Sequence, residues 1–198
     1  MARPLRIGLT GSIGMGKSET LRIFASLGLP VHDSDAAVHA LYDGGAATAL
    51  IGAAFPGTVK DGKVDRPALS LAVMNNPEAL EKLQDLVHPL LKEERCKFLG
   101  AHAGAEMLVL DIPLLFEIGA DKQMDKIIVV SAPPDIQRAR VLARPGMTAE
   151  KFEYLQARQL SDAQKRAQAD FVIETGQGLD HAARQAQDII ARIRSGHA

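Results

Sequence analysis

The chain has 198 residues, 46% of them hydrophobic and 24% charged, which is the composition of an ordinary folded domain with one sizeable core. Its 23 Lys and Arg residues balance 24 Asp and Glu residues to a formal charge of -1, so we expect no sequence-independent binding to nucleic acid. No segment approaches the roughly 20 apolar residues that cross a bilayer, and no apolar signal segment opens the chain. We therefore expect a cytoplasmic protein without a membrane partner. The single cysteine, Cys96, excludes an internal disulfide and is expected to lie in a core.

The first predicted elements are a strand, a glycine-rich loop and a helix. Leu5 to Thr10 is a short, mostly apolar run, and Leu21, Phe24 and Leu27 then share one side of a helix. The loop between them matches the G-x-x-x-x-G-K-[ST] pattern of a phosphate-binding loop in the strand–helix context that this pattern needs. The residues predicted to bind ATP there are Gly11, Ser12, Ile13, Gly14, Met15, Gly16, Lys17 and Ser18.

The chemistry of phosphate binding explains these residue types. Glycines allow several backbone N–H groups to converge on phosphate oxygens at the positive end of a helix. Lys17 is predicted to bridge the β- and γ-phosphates, and Ser18 to give its hydroxyl to Mg²⁺. As a loop residue, Lys17 is expected to face solvent and to contribute little to folding. The alternative is a glycine-rich turn with an exposed lysine.

A second strand is predicted at Leu29 to His32, and it ends at Asp33, Ser34 and Asp35. A carboxylate at this edge of the sheet can take the proton of an acceptor hydroxyl during phosphoryl transfer. We interpret Asp33 as that base. Asp35 is either a substrate contact or, like Ser34, the cap of a helix that starts near residue 36.

Residues 36–103 show a helical pattern almost throughout, without strand alternation. The clearest helix starts with Asn76 as its N-cap and continues through a leucine-rich stretch that contains His88. Pro89 is expected to kink or interrupt this helix. His88 alone is more typical of a structural histidine than of a ligand-binding one.

Three further strands are predicted at Met107 to Ile112, Lys126 to Ala132 and Asp170 to Ile173, followed by a helix from Leu179. Five strands that alternate with helices predict an α/β fold with a doubly wound parallel sheet. Asp111 ends one apolar strand, where P-loop proteins often hold Mg²⁺; it is also placed to bind substrate or to cap a helix.

Arg140 and Arg144 are spaced one helical turn apart and are predicted to share one face of a helix. Charge runs are usually solvated, as expected for Lys165 in the polar stretch from Arg144 to Arg166, which we interpret as a mobile insertion. Arginines on a closing lid can also neutralise phosphate charge and exclude water. We favour this second role for Arg140 and Arg144.

Together these segments resemble the dephospho-coenzyme A kinase family over nearly the whole chain. The resemblance lies in the segments 8–18, Asp33-Ser34-Asp35, Val64-Asp65-Arg66, Val87-His88-Pro89, residues 111–117 (DIPLLFE), Gln137 with Arg140 and Arg144, and residues 169–173 (ADFVI). The sequence departs from the family pattern at Glu174-Thr175-Gly176, where an Asn-Gly or Asn-x-Gly turn near the adenine is usual, and at Pro145 in the lid.

The resemblance implies a P-loop NTPase fold similar to nucleoside monophosphate kinases, with core 1–35, 105–140 and 168–198, a helical acceptor-binding insertion 36–104 and a lid 141–167. It implies that ATP and Mg²⁺ phosphorylate the ribose 3′-hydroxyl of dephospho-CoA, the last step of coenzyme A biosynthesis. It also implies Asp33 as the base, contacts to the acceptor by His88, Asp111 and Leu115, and Arg140 on the ATP phosphates.

Two other functions are compatible with the predicted fold. One is phosphorylation of a nucleoside monophosphate or another small metabolite, and the other is a nucleotide-dependent switch that acts through a partner. A GTPase is excluded because the only asparagines, Asn75 and Asn76, form no guanine-reading N-K-x-D element. We expect a monomer.

Overall fold

The structure is a computed structural model that describes residues 3–74 and 76–196. The ends of the predicted core, residues 1–2 and 197–198, and residue 75 of the predicted insertion lie outside this description. The strands are β1 (Leu5–Thr10), β2 (Val31–Asp33), β3 (Val59–Lys60), β4 (Lys63–Val64), β5 (Met107–Asp111), β6 (Lys126–Ser131) and β7 (Phe171–Glu174). The helices are α1 (Lys17–Ser26), α2 (Ser34–Tyr42), α3 (Ala46–Ala54), α4 (Arg66–Val73), α5 (Pro77–Ala101), α6 (Pro134–Leu142), α7 (Ala149–Gln156), α8 (Asp162–Arg166) and α9 (Leu179–Arg194), with a 3₁₀ turn at Ala120–Gln123.

The chain divides into two compact units, which we call the sheet unit (Met1–His32 and Gly104–Ala198) and the helical unit (Asp33–Ala103). None of the described helices is both long enough and apolar enough to cross a membrane.

A five-stranded sheet in the order β2-β5-β1-β6-β7 organises the sheet unit, and the predicted parallel α/β fold is confirmed. Leu9 in β1 pairs with Asp111 in β5, and Ile128 in β6 pairs with Phe171 in β7. Strands β5 and β6 carry apolar side chains at successive positions because both sheet faces are covered, and the last four residues of β1 are buried as well. The carboxyl ends of β1 and β5 therefore meet at one edge of the sheet.

Helices α1 and α9 pack together beside the sheet, and both contribute to its largest core. The helix predicted from Leu179 is α9, and it buries an apolar stripe whose members recur every three or four residues and so face one side. These buried residues are Ala182, Ala186, Ile189, Ile190 and Ile193, whereas Ala183 is half-buried.

The helical unit has its own core, in which Ile51, Phe55 and Val87 pack with residues of α4 and α5. A short hairpin of β3 and β4 interrupts the largely helical pattern of this unit, so the expectation that it contains no strand was wrong. Asp61 and Gly62 both have positive φ, 48° and 73°, as the two central residues of a type I′ hairpin turn do. The Asp-Gly pair is a hairpin signal as well as a helix break.

Three further expectations need correction. Helix α5 runs from Pro77 to Ala101 without interruption at Pro89. Cys96 is exposed on this helix rather than buried in a core. Helix α6 ends at Leu142, so Arg144 does not share a helical face with Arg140; Pro145 disfavours helical geometry at the residue before it.

Candidate active site

The predicted phosphate loop lies between β1 and α1, at the carboxyl edge of the sheet. Gly14 and Gly16 have φ of 80° and 93°, in the left-handed region that favours glycine. A Cβ on Gly14 would lie 2.4 Å from a methyl group of Val141, and one on Gly11 would lie 2.6 Å from the Val130 carbonyl oxygen. Gly14 therefore requires glycine for both conformation and space, Gly16 for conformation and Gly11 for space.

The loop leads directly into α1, which begins at Lys17 after the N-cap Gly16. The first N–H groups of a helix have no partners within that helix, and they form the positive end of its dipole. Glu19 is the acidic residue of the first turn, and Ser18 is exposed there. A loop and helix start of this kind are suited to hold an anion.

Side chains from later parts of the sheet unit hold the loop in place. The Ile13 carbonyl accepts a hydrogen bond from the Gln137 side-chain amide at 2.8 Å, and the Ile13 N–H donates to the Gln159 side-chain oxygen at 3.1 Å. The Ala132 N–H donates to the Met15 sulfur at 3.1 Å. No local signal in the sequence points to Gln159, because its contact to the loop spans 146 residues of chain.

Lys17 and Asp111 form an ion pair, with 2.6 Å between Nζ and Oδ2. Their side chains are only 12% and 2% exposed, so the expectation of a solvent-facing Lys17 was wrong. The pair forms because Asp111 ends β5 beside β1, and β1 leads into the loop. The Lys17 ammonium binds a carboxylate here and can bind a phosphate in the same way, because both offer anionic oxygen acceptors.

The residues at this edge also fit a magnesium ion. Ser18 and Asp111 offer a hydroxyl and a carboxylate, the hard oxygen ligands that Mg²⁺ prefers. Across residues 3–74 and 76–196, no group of three or more His, Cys, Asp or Glu side chains could cage a metal. Mg²⁺ usually takes one or two protein ligands together with substrate phosphates and water, so a hydroxyl and one carboxylate match its needs.

Arg140 on α6 is held by Thr175, the residue that follows β7. Its Nη1 donates to the Thr175 hydroxyl and its Nη2 to the Thr175 carbonyl oxygen, both at 2.9 Å. The same hydroxyl lies 2.7 Å from the Met15 carbonyl oxygen of the loop. Arg144, in contrast, is exposed beyond the end of α6. Sequence reasoning missed Thr175, although a polar residue directly after a strand at this sheet edge was an available signal.

A buried ion pair joins Glu117 to Lys165 on α8, with 2.9 Å between Oε1 and Nζ. Lys165 is fully buried, so its predicted place on a solvated face was wrong. Burial alone raises the pKa of the Glu117 carboxyl, but the Lys165 ammonium and the Leu160 N–H, which donates at 2.9 Å, hold that pKa below its usual value. This pair anchors the 159–165 segment in the sheet unit.

Leu115 is also fully buried in the sheet unit. A Cβ on Gly8 would lie 2.6 Å from its Cδ1, so Leu115 packs directly onto the backbone of β1. Its role as a substrate contact stays a prediction.

The helical unit contains the other predicted acceptor residues. Asp33 is the N-cap of α2, and its Oδ1 accepts a hydrogen bond from the Ala36 N–H at 2.9 Å. The expectation that Ser34 or Asp35 caps this helix was therefore wrong, because the cap is Asp33. Asp35 lies exposed in the first turn. His88 is exposed on α5.

Known proteins resemble the whole chain. A sequence model of the family described as dephospho-CoA kinase matches residues 5–181. A dephospho-CoA kinase of Mesorhizobium japonicum is 53% identical over 190 residues, which cover 95% of this chain and 96% of that protein. A solved structure from Thermus thermophilus has a TM-score of 0.83 at 32% identity, with 96% and 97% of the two chains covered. A dephospho-CoA kinase from Campylobacter jejuni gives a TM-score of 0.72 at 26% identity, with 98% of each chain covered. The chain belongs to the dephospho-CoA kinase family.

Proposed function

We propose that this chain transfers the γ-phosphoryl group of ATP to the ribose 3′-hydroxyl of dephospho-CoA, with Asp33 as the base and the phosphate loop as the ATP site. Its membership in the family makes it a dephospho-CoA kinase, the enzyme of the last step of coenzyme A biosynthesis. The observation that carries the ATP site is the loop itself, with glycines in left-handed conformation that lead to Lys17 at the start of a helix. Such a loop directs backbone N–H groups and one cation toward phosphate.

On the ATP side, Lys17 exchanges its contact with Asp111 for the β- and γ-phosphates. Ser18 and Asp111 would hold Mg²⁺, which would neutralise phosphate charge. Gly11, Ser12, Ile13, Gly14, Met15 and Gly16 complete the loop that surrounds the phosphates. The hydrogen bond between Lys17 and Asp111 supports this assignment, because it holds the ammonium and the carboxylate together where the loop meets α1.

On the acceptor side, Asp33 takes the proton of the 3′-hydroxyl as the new P–O bond forms, and the bond from the γ-phosphorus to the β–γ bridging oxygen breaks to release ADP. Its cap on α2 supports the assignment. One carboxylate oxygen fixes the side chain through Ala36, and a carboxylate has more lone pairs than this single bond uses. Asp35, His88, Asp111 and Leu115 contact dephospho-CoA.

We assign the helical insertion 36–104 to the acceptor and the segment 141–167 to a lid. Arg140 contacts the ATP phosphates, because Thr175 and the loop carbonyl already fix it beside that loop. Arg144 joins it when the lid closes; its exposure beyond α6 supports a contact that only ligand completes. The chain functions in the cytoplasm as a monomer, with dephospho-CoA as its small-molecule partner.

The alternative of a nucleoside monophosphate or other small-metabolite kinase is not favoured. Relatives at 52–53% identity over 94–95% of this chain bear the dephospho-CoA kinase name.

A direct assay tests the proposal. The purified chain is incubated with Mg-ATP and, separately, with dephospho-CoA, AMP, CMP, UMP or adenosine, and products are identified by mass. We expect rapid conversion of dephospho-CoA alone, with the new phosphate on the 3′ position. A preference for any monophosphate would transfer the function to the alternative, and ATP hydrolysis without transfer would refute a kinase role.

A further inference from the structure

We propose that Thr175 is a positioning residue for phosphoryl transfer, and that its hydroxyl fixes Arg140 and the Met15–Gly16 peptide of the phosphate loop in one arrangement. This inference rests on the proposed role of Arg140 at the ATP phosphates. It assigns a function to a side chain in which the sequence showed no chemistry.

The Thr175 hydroxyl is a three-way junction between distant parts of the sheet unit. It is 2.9 Å from Arg140 Nη1, 2.7 Å from the Met15 carbonyl oxygen and 3.3 Å from the Ser131 carbonyl oxygen. Thr175 is 7% exposed, so water competes little for these bonds.

The partners determine where the proton of the hydroxyl lies. An arginine can only donate and a carbonyl can only accept, so the hydroxyl accepts from Arg140 and donates its single proton to a carbonyl. The Met15 oxygen is the nearer acceptor, at 2.7 Å against 3.3 Å for Ser131. Through these two hydrogen bonds, the Thr175 hydroxyl holds the guanidinium at a defined distance from the loop carbonyl. A methyl group of the same size forms neither bond.

Arg140 is fixed in direction as well as in place. Its two terminal nitrogens bind the hydroxyl and the main-chain carbonyl of the same residue, each at 2.9 Å. Two parallel bonds from a planar guanidinium set its plane. These bonds use two of the N–H groups of the guanidinium. The remaining N–H groups lie in the same plane, so their directions are set as well.

The second effect is on the loop peptide. The Met15 carbonyl and the Gly16 N–H belong to one trans peptide, so they point in opposite directions. A carbonyl held on Thr175 therefore directs the Gly16 N–H away from Thr175. A Cβ on Gly16 would lie 3.1 Å from the Thr175 hydroxyl oxygen and 3.3 Å from its Cγ2, so the side chain also packs against this glycine.

The main chain of Thr175 is held independently of its side chain. Its N–H donates to the Ser131 carbonyl oxygen at 2.8 Å, which extends the pairing of β6 with β7. Replacement of the hydroxyl by a methyl group should therefore leave the backbone in place. Thr175→Val removes the junction, and Thr175→Ser retains it.

The test compares Thr175→Val and Thr175→Ser with wild type in the full chain. Thr58→Val is the matched control, since Thr58 is equally buried in the helical unit and donates to the Phe55 carbonyl oxygen at 2.6 Å. We expect Thr175→Val to lower kcat by about 10- to 100-fold, as small misplacements of catalytic groups do. Thr175→Ser should stay within about threefold of wild type.

Two measurements do not depend on turnover. In the ligand-free protein, Thr175→Val should speed hydrogen exchange of the Gly16 amide by about 5- to 10-fold, because its peptide loses a bond. Calorimetric ADP binding should weaken by a similar factor. Neither Thr175→Ser nor Thr58→Val should change these values, and melting temperatures report whether each variant is folded; Thr175→Ala replaces Thr175→Val if the latter does not fold.

The combination with Arg140→Ala tests the link to the arginine. If Thr175 acts through Arg140, Thr175→Val should lower the kcat of Arg140→Ala by clearly less than it lowers that of wild type. If the fold-reductions in kcat of the two single variants simply multiply in the double variant, this link is overturned. Wild-type kcat in Thr175→Val, or equal impairment in Thr175→Ser, would overturn the role of the hydroxyl. If wild type does not phosphorylate dephospho-CoA, the proposed function fails, and Gly16 exchange and ADP binding still decide whether the hydroxyl holds the loop.

Discussion

In the sheet unit, Lys17, Asp111 and Arg140 are held by contacts between elements that are far apart in sequence, whereas in the helical unit Asp35 and His88 are exposed and Asp33 is held by one local cap. Contacts within the protein alone hold the first set in place. A site of this kind needs little reordering on binding, while exposed side chains lose conformational freedom when the ligand immobilises them. The difference suggests that the protein supplies the geometry of the ATP side and that dephospho-CoA supplies much of the geometry on the acceptor side.

The largest effect is expected from Asp33→Asn, the most direct test of the acceptor side. Turnover should fall by about 10²- to 10⁴-fold, because an amide cannot accept the proton of the 3′-hydroxyl. Stability should barely change, since Asn caps helices as well as Asp does. Steady-state kinetics, ADP binding and urea unfolding measure the three quantities.

Asp65→Asn is the matched control for this substitution. Asp65 caps α4 in the same way, with Oδ1 accepting the Ala68 N–H at 3.0 Å. Its turnover should stay near that of wild type. A near-normal rate in Asp33→Asn would remove Asp33 as the base.

The next effect is expected from Lys17→Met, which tests how far the ATP side is built in advance. Turnover should fall by about 10²- to 10³-fold, because one preorganised charge at the transition state is lost. Stability should fall as well, by about 3–5 kcal/mol, because the buried carboxylate of Asp111 loses the ammonium group that balances its charge. Urea unfolding gives this second value.

Lys17→Met combined with Asp111→Asn separates the two effects. The double variant should recover most of the lost stability, since a neutral amide replaces the buried carboxylate, but none of the turnover. Unchanged stability in Lys17→Met alone would show that the ion pair contributes nothing to folding.

A smaller effect is expected from His88→Ala. The KM for dephospho-CoA should rise by about 10-fold, which corresponds to about 1.4 kcal/mol, one good hydrogen bond. ADP binding should not change, and unfolding should shift by less than about 0.5 kcal/mol because His88 is exposed. A fall in ADP affinity equal to the rise in KM would contradict an acceptor role.

The smallest effect concerns acid stability of the sheet unit. The pKa of Glu117 is lowered in the folded chain, so its stabilising contribution is present above the unfolded value of about 4.3 and is lost as pH falls through the folded pKa. Glu117→Gln should therefore be less stable than wild type at neutral pH, and the difference should shrink below about pH 4.3. Urea unfolding across this pH range measures it; a difference that grows on acidification would show that the sign is wrong.

The local signals in the sequence account for the loop and the strands. The spacing of Gly11, Gly16, Lys17 and Ser18 by itself predicts a phosphate-binding loop. Buried parallel strands such as β5 and β6 appear in the sequence as short apolar runs. The five strands of the sheet were therefore predictable within one or two residues.

The contacts that organise the site were not predictable in this way. Thr175 reaches Met15 across 160 residues, and Lys165 reaches Glu117 from a polar stretch that looked solvated. No periodicity encodes such pairs, because they depend on how the whole sheet unit folds. The end of α6 at Leu142 and the hairpin at Asp61 did have local signals, in Pro145 and in the Asp-Gly pair.

The exposed Cys96 has a practical consequence for any study of this chain. Because it is the only thiol in the sequence, it offers one labelling position in the helical unit without engineering. A fluorophore there would report changes in the surroundings of α5 when a ligand is added. The same exposure permits air oxidation to join two chains covalently, so molecular mass must be measured in the presence of a reductant before an apparent dimer is attributed to assembly.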